Sequence, residues 1–311
     1  MDAGGLLGLS PSRKRRGRLT RSIAPANAEA TEAWSGPLFE RFVRFRDLVT
    51  DGLGAHGEAA IAAHPPEAGD RILDLGCGFG DTTQRLARLV GEGEVVGVDV
   101  SEPFVELARR EAAASGLANV RFRVEDVQVA DFDTRFDYVF SRMGIMFVAN
   151  PVRALRNVRG AMRPGARLCA VVWRRKLDND WVHRAELVAA DYLEHPDETD
   201  QPTCGPGPFS MADADTVSDQ LKIAGFESIS LQRCDLPIRI GDSLDHAVEF
   251  TLALGPAGEV MRLWGDRIDE IRPKISRDVR EALGEFDGPD GVIAPASTWI
   301  IGATVPQDRT T

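Results

Sequence analysis

What this chain lacks narrows its class before any motif is read. No apolar run approaches the ~18 residues of a membrane-spanning helix, so a helical membrane protein is not expected. Only four cysteines occur, Cys77, Cys169, Cys204 and Cys234, widely separated and without a CxxC pair. That spacing argues against a disulfide framework and a thiolate zinc site, and for a reducing, cytoplasmic compartment. Histidine is scarce too: the five are His56, His64, His183, His195 and His246. None stands in a His/Asp/Glu cluster with metal-ligand spacing, so no metal is expected.

Positive charge is missing from most of the chain. The formal charge is −11, yet residues 1–21 carry Asp2 against Arg13, Lys14, Arg15, Arg16, Arg18 and Arg21, a net +5 that leaves −16 for the rest. An acidic body repels phosphate backbones, which argues against nucleic acid as the main partner. The basic run lacks the apolar segment of a secretory signal and reads as a disordered, solvated tail over residues 1–24. The full 311 residues, 43% hydrophobic, suffice for one large core with a substantial insertion.

What is present begins with Arg71-Ile72-Leu73-Asp74-Leu75-Gly76-Cys77-Gly78-Phe79-Gly80, an apolar strand running into three alternating glycines. Bare backbone at the end of a strand, followed by a helix, is the environment a nucleotide-type cofactor uses. A dinucleotide fingerprint needs G-x-G-x-x-G, but here the third glycine comes one residue early and Asp81 occupies its place. An aspartate there disfavours a pyrophosphate and tolerates a zwitterionic amino-acid tail.

Downstream the chain alternates strand and helix, as a doubly wound sheet does. The expected strands are 71–75, 95–98, 120–124, 136–140, 168–173, 228–234 and 298–305. The expected helices follow Asp81, run from about 103 to 115, from 152 to 162 and from 213 to 224. Between the last two strands lie three helical stretches, 244–254, 259–271 and 275–286, punctuated by Gly255-Pro256 and Pro273. Helices so placed cannot belong to the sheet, so residues 241–290 read as a helical cap insertion. Residues 25–60 form an N-terminal cap segment and residues 176–210 a polar cap loop. The core is then 61–240 with 291–311.

Carboxylates at strand ends are the second signal. Asp99 closes strand two, nineteen residues after Gly80, where it can accept both hydroxyls of a ribose; Asp126 closes strand three. Over residues 68–175 the glycine turn, these two aspartates, Phe136-Asp137-Tyr138-Val139 and Met162-Arg163-Pro164-Gly165 together resemble class I S-adenosylmethionine-dependent methyltransferases, most closely the ubiquinone/menaquinone-biosynthesis branch. The departure is Ala166, where many relatives carry a second glycine.

The resemblance implies a Rossmann-like α/β fold with seven mostly parallel strands, and S-adenosyl-L-methionine as cofactor. It implies that Asp74 helps hold the methionine amino group, that Gly76, Cys77, Gly78, Phe79 and Gly80 carry the amino-acid portion, and that Asp99, with Val100 beside it, takes the ribose. Asp126 would accept from the adenine amine with Val127 on the ring, and Ser141 and Arg142 would complete the cofactor site. The reaction expected is metal-independent, in-line transfer of the methyl group to a small organic acceptor, in which orientation and a dry pocket supply most of the rate. Trp34, Met143, Trp173, Trp181 and Phe209 are the candidates to enclose that acceptor, and Gly205-Pro206-Gly207-Pro208-Phe209-Ser210 reads equally well as an entrance loop or a connector. If a general base is needed, His183 is the first candidate, because it follows strand five where the acceptor should arrive. Two further readings stay open: a protein-directed methyltransferase guided by the basic tail, and a cofactor-binding protein that does not methylate. A nicotinamide oxidoreductase is disfavoured by Asp81 and by Glu125-Asp126.

Overall fold

A computed structural model describes residues 23–133, 135–192, 207–263 and 268–307. The basic residues 13–21, His195, Cys204 and Gly205-Pro206 lie outside the described residues.

The strands are β1 (Arg71–Leu75), β2 (Glu94–Asp99), β3 (Val120–Val124), β4 (Phe136–Arg142), β5 (Met162–Trp173), β6 (Glu227–Gly241), the two-residue β7 (Asp287–Gly288) and β8 (Gly291–Thr304). They form one sheet in the order β3-β2-β1-β4-β5-β8-β6, with β7 paired only to β8. The pairs among β1 to β5 are parallel, and β8 runs antiparallel to both neighbours. The architecture is the expected mostly parallel α/β sheet, with β7 as an eighth strand.

Strand alternation sends side chains to both faces. One face carries Leu73, Leu75, Val139, Leu168, Val172 and Ile301, covered by α6 (Pro151–Gly160) and α8 (Ala214–Ala224) through Leu155, Val158, Val217 and Leu221. The other carries Ile72, Tyr138, Phe140, Val171 and Ile300, covered by α3 (Arg46–Ala63) and α4 (Asp81–Val90) through Ala60, Ile61, Leu86 and Val90. Helix α5 (Glu102–Ala114) packs Val105 and Ala108 on Phe122 at the β3 end. The expected N-terminal cap is therefore two different things. Helix α3 is a sheet-covering layer, whereas α1 (Ala28–Ser35) and α2 (Pro37–Arg44) lead up to it.

The last two strands are longer than the sequence suggests, and their length explains the helical insertion. Strand β5 pairs with β8 only from Thr298 to Thr304, while β6 pairs with β8 from Val292 onward. Residues 291–297 and 235–241 thus project beyond β5 as a two-stranded arm, which needs a covering layer to be stable. Helices α7 (Asp180–Ala190), α9 (Leu244–Ala253), α10 (Pro256–Leu263) and α11 (Ile268–Leu283) supply it, burying Ile238, Ile240, Val292 and Ala294 beneath Trp181, Phe250, Ile275 and Val279. Pro237 and Pro295 face each other in the arm, one on an edge strand and the other past the end of β5. Pro273, expected to break a helix, lies inside α11. Ile275, Val279 and Leu283, spaced four apart and fully buried, offset the one backbone hydrogen bond the proline removes.

Candidate functional site

The carboxyl ends of β1, β2, β3 and β4 converge on the glycine turn. Gly76 takes φ +66°, and a Cβ there would stand 2.7 Å from Gly144 Cα, so two backbones touch where β1 and β4 end. Gly78 takes φ +50°, and the place of its missing Cβ has nothing within 4 Å. Space above bare backbone is what a ligand lying on this turn requires. The next residue after β4, Met143, holds φ +57°, an unfavourable conformation for a non-glycine side chain and one that clusters at functional sites.

Asp99 is tied to this turn. Its Oδ2 accepts from Gly78 N at 3.0 Å and its Oδ1 from Ser101 N at 2.9 Å, while the residue stays partly exposed, as does Val100. Desolvation raises its pKa, and the backbone donors oppose that rise.

Other expected cofactor residues are engaged in holding the turn. Asp74 is 1% exposed and accepts from the Thr83 hydroxyl at 2.6 Å, fastening the start of α4 to the end of β1. Burial pushes its carboxyl up to about 7, against the Thr83 hydrogen bond and the Arg142 charge. The Ser141 hydroxyl is likewise internal: it donates to Leu75 O at 2.8 Å and accepts from Ile145 N at 3.0 Å. Cys77 is buried against Val105 and Ala108, where burial raises its thiol pKa well above the ordinary value. Gly80 is a packing glycine, since a Cβ there would meet Ala108 and Phe122 at 2.8 Å.

Arg142 pairs with Asp81 at 2.7 Å, its stem passing Gly57 of α3, where a Cβ would lie 3.1 Å from its Cδ. The pair neutralises the aspartate that replaces the third glycine of a dinucleotide turn. Arg46 adds a second cation beside Asp81; it grips Glu111 with both guanidinium nitrogens and lies 4.7 Å over the Phe79 ring. Nothing in the sequence pattern marked Arg46, because the contact joins helices α3 and α5, which the sequence does not bring together.

At the other end of the edge the surroundings change. Asp126 is 0% exposed and Val127 is buried. Asp126 Oδ2 accepts from Ala24 N at 2.9 Å and Asn27 Nδ2 at 2.8 Å, and Oδ1 accepts from Gln128 N at 2.9 Å. Asn27 Oδ1 in turn accepts from Ala149 N at 3.0 Å. Trp34 lies at this end of the edge too. Its ring meets Phe42, Phe104 and Phe147, and its carbonyl accepts from the Ser101 hydroxyl at 3.0 Å. Asn27 was missed in the sequence because its partners lie about a hundred residues away.

The acceptor candidates are dispersed. Trp173 and Phe209 stand 6.5 Å apart at the end of β5. Trp181 is stacked on Phe250 inside the cap core, with its Nε1 buried and unpartnered. His183 lies in the first turn of α7, half-buried, with its Nδ1 unpartnered. Of the Gly-Pro loop, the described part ends on Ser210, whose hydroxyl donates to Met146 O beside the β4 turn. Among the described residues no group of three or more His, Cys, Asp or Glu side chains is arranged to hold a metal, and no helix is long and apolar enough to cross a membrane.

A parallel sheet with one reversed strand next to its edge, and a glycine turn at the end of β1, define a Rossmann-like cofactor-binding domain. Comparison with known proteins gives the particular kind. Residues 66–203 match the family model of a methyltransferase domain. The aklanonic acid methyltransferase DauC of Streptomyces sp. (strain C5) is 33% identical over 114 residues, 36% of this chain and 52% of that protein. The ubiquinone/menaquinone biosynthesis C-methyltransferase UbiE of Yersinia enterocolitica is 30% identical over 157 residues, 48% of this chain and 62% of that protein. Phosphoethanolamine N-methyltransferase 2 of Haemonchus contortus, solved with phosphomonomethylethanolamine and S-adenosylhomocysteine, shares the fold, with a TM-score of 0.54 over 92% of this chain and 61% of that one at 16% identity. Over this region the chain is similar to class I S-adenosylmethionine-dependent methyltransferase domains, those of the UbiE-like branch among them. It spans about half of the length of DauC and 62% of UbiE.

Proposed function

We propose that this protein transfers a methyl group from S-adenosyl-L-methionine to a small organic acceptor. The observation that carries the reading is the open space over Gly78 beside a partly exposed Asp99. The residues present fit the cofactor. Asp99 offers charged acceptor oxygens for a ribose, the Gly76–Gly80 turn offers backbone for the amino-acid portion, and Asp81, already neutralised by Arg142, does not repel its carboxylate. The sulfonium supplies an activated methyl group. The chain's own contribution is orientation and exclusion of water, with Met143 and the Gly76–Gly144 contact fixing the floor near the end of β4.

The acceptor side is the end of β5 and the cap. Trp173 and Phe209 supply flat apolar surface there, and the half-buried His183 is the candidate base for an acceptor hydroxyl. The names of DauC and UbiE, whose stated reactions methylate small molecules, support a small acceptor here. No nucleic-acid partner enters this reading.

Calorimetry with S-adenosylhomocysteine and, separately, NAD tests the cofactor: heat with the first and none with the second is expected, and the reverse overturns the reading. Incubation with labelled S-adenosylmethionine and a cell extract, followed by mass spectrometry, tests the acceptor. Label in a small molecule is expected; label confined to protein would favour the tail-guided reading.

A further inference from the structure

We infer that residues 24–35 are a strap latched over the adenine end of the cofactor edge, and that adenine and the strap use the same carboxylate, Asp126. This rests on the cofactor reading above. A carboxylate has about four acceptor positions. In this structure three are filled, by Ala24 N, Asn27 Nδ2 and Gln128 N, and none of the residue's surface is accessible. An exocyclic amine reaches Asp126 only if the Ala24 and Asn27 contacts part.

The strap is built as a separate, locally weak element. Its helix α1 has no buried residue and no side-chain cap at its N-terminus. It is held at discrete points: Asn27 on Asp126 and on Ala149 N, the Trp34 carbonyl on the Ser101 hydroxyl, and the Trp34 ring between Phe104 and Phe147. These points fall on the segments that follow β2, β3 and β4, so the strap crosses the edge the cofactor must enter. Segments with few buried apolar contacts open far more often than cores do. Asn27 is the central latch, because its amide bridges the β3 and β4 ends with one side chain and both its polar atoms are engaged.

The glycine end needs no such opening. Binding therefore proceeds in order: the amino-acid portion and ribose meet an accessible turn, while the adenine waits on release of Asn27. The latch slows binding and also weakens it, because the closed fraction must open before adenine reaches Asp126; a residue that acts only through the latch changes the opening step, and its loss speeds binding and tightens it.

Stopped-flow mixing with S-adenosylhomocysteine, followed by tryptophan fluorescence, reads that step. In the unaltered full chain the observed rate is expected to level off with rising ligand, at the opening rate. Asn27→Ala removes a charge-assisted hydrogen bond and is expected to raise the plateau about tenfold. Asn27→Asp keeps the volume but sets carboxylate against carboxylate, and is expected to raise it at least as far, so the pair guards against a packing defect in either variant. A rate that climbs linearly without a plateau, or the same plateau in all three proteins, overturns the strap and leaves the cofactor reading standing. No ligand signal in any of them removes the cofactor reading and the strap with it.

Discussion

Asp99 and Asp126 end neighbouring strands, carry the same group and lie along the same edge, yet they are held in opposite ways. Asp99 takes its hydrogen bonds from backbone within the site itself, Gly78 and Ser101, and keeps part of its surface free. Asp126 takes two of its three from Ala24 and Asn27, about a hundred residues away, and has no free surface. A strand-end aspartate is thus ready for a ligand only when local backbone satisfies it; satisfied from afar, it also anchors whatever supplied the donors. The comparison predicts that removing Asp99 and removing the latch at Asp126 do opposite things, the first weakening cofactor binding and the second speeding and tightening it.

The largest effect is expected at the open end. Asp99→Ala removes the acceptor of a bidentate ribose contact, and S-adenosylhomocysteine should bind at least roughly 100-fold more weakly by calorimetry. A loss under about fivefold would mean that the open carboxylate is not a ligand group, and the contrast with Asp126 would fail.

Two glycines of the turn sharpen the same division. Gly76→Ala pushes a Cβ against Gly144 Cα at a positive φ, and should cost roughly 2–4 kcal/mol of stability by denaturant titration. Gly78→Ala carries the φ penalty alone, about 1 kcal/mol, but its methyl enters the open space, so cofactor affinity should fall with little further loss of fold. Equal destabilisation by both, with affinity intact in the Gly78 variant, would show that the space over Gly78 is not the binding surface.

The third carboxylate of the edge, Asp74, is buried and bonded within the fold, to the Thr83 hydroxyl. Its folded pKa, about 7, lies above the unfolded value. The folded state therefore holds the proton more tightly, so its contribution to stability is full below the unfolded value of ~3.9 and is lost as pH rises through about 7. Asp74→Asn keeps an acceptor for Thr83 and cannot ionise. Its thermal midpoint, relative to the unaltered protein, should climb between about pH 5 and about pH 8. A constant difference across that range would mean that Asp74 titrates as an ordinary carboxyl, and then it would group with Asp99.

Much of this edge was legible in the sequence, and what was not has a physical reason. The β1 glycine turn, Asp99 and the alternation of strand and helix follow from local pattern: an apolar run, a forced turn, a carboxylate at a fixed distance. The ends of β6 and β8 were not legible, because Pro237 and Pro295 argue against strand and only the pairing of the two arms with each other, beyond β5, makes room for both. Asp74 and Ser141 were read as ligand groups because a strand-end polar residue looks the same whether it faces a cleft or a neighbouring loop. Arg142 was read as a cofactor residue, and it pairs with Asp81. Asn27 and Arg46 carried no signal at all, since their roles exist only once α1 and α3 have docked on the far side of the chain from where they start.

The smallest expected effect tests whether the two ends are coupled. Ser101 belongs to both: its backbone N–H donates to Asp99 and its hydroxyl donates to the Trp34 carbonyl of the strap. Ser101→Ala deletes the second bond and leaves the first. One neutral hydrogen bond is worth about 1 kcal/mol, which for a chain of this length moves the thermal midpoint by about 2 °C. Because Asp99 keeps its donor, the affinity for S-adenosylhomocysteine should not fall, and should tighten by no more than about fivefold. The rate plateau for binding should rise modestly, in the direction of the Asn27 variants and by less, because a hydroxyl on a carbonyl is a weaker tether than an amide on a carboxylate. If affinity instead fell with the midpoint unchanged, the strap would be holding Asp99 in place, and the two carboxylates would form one device rather than two.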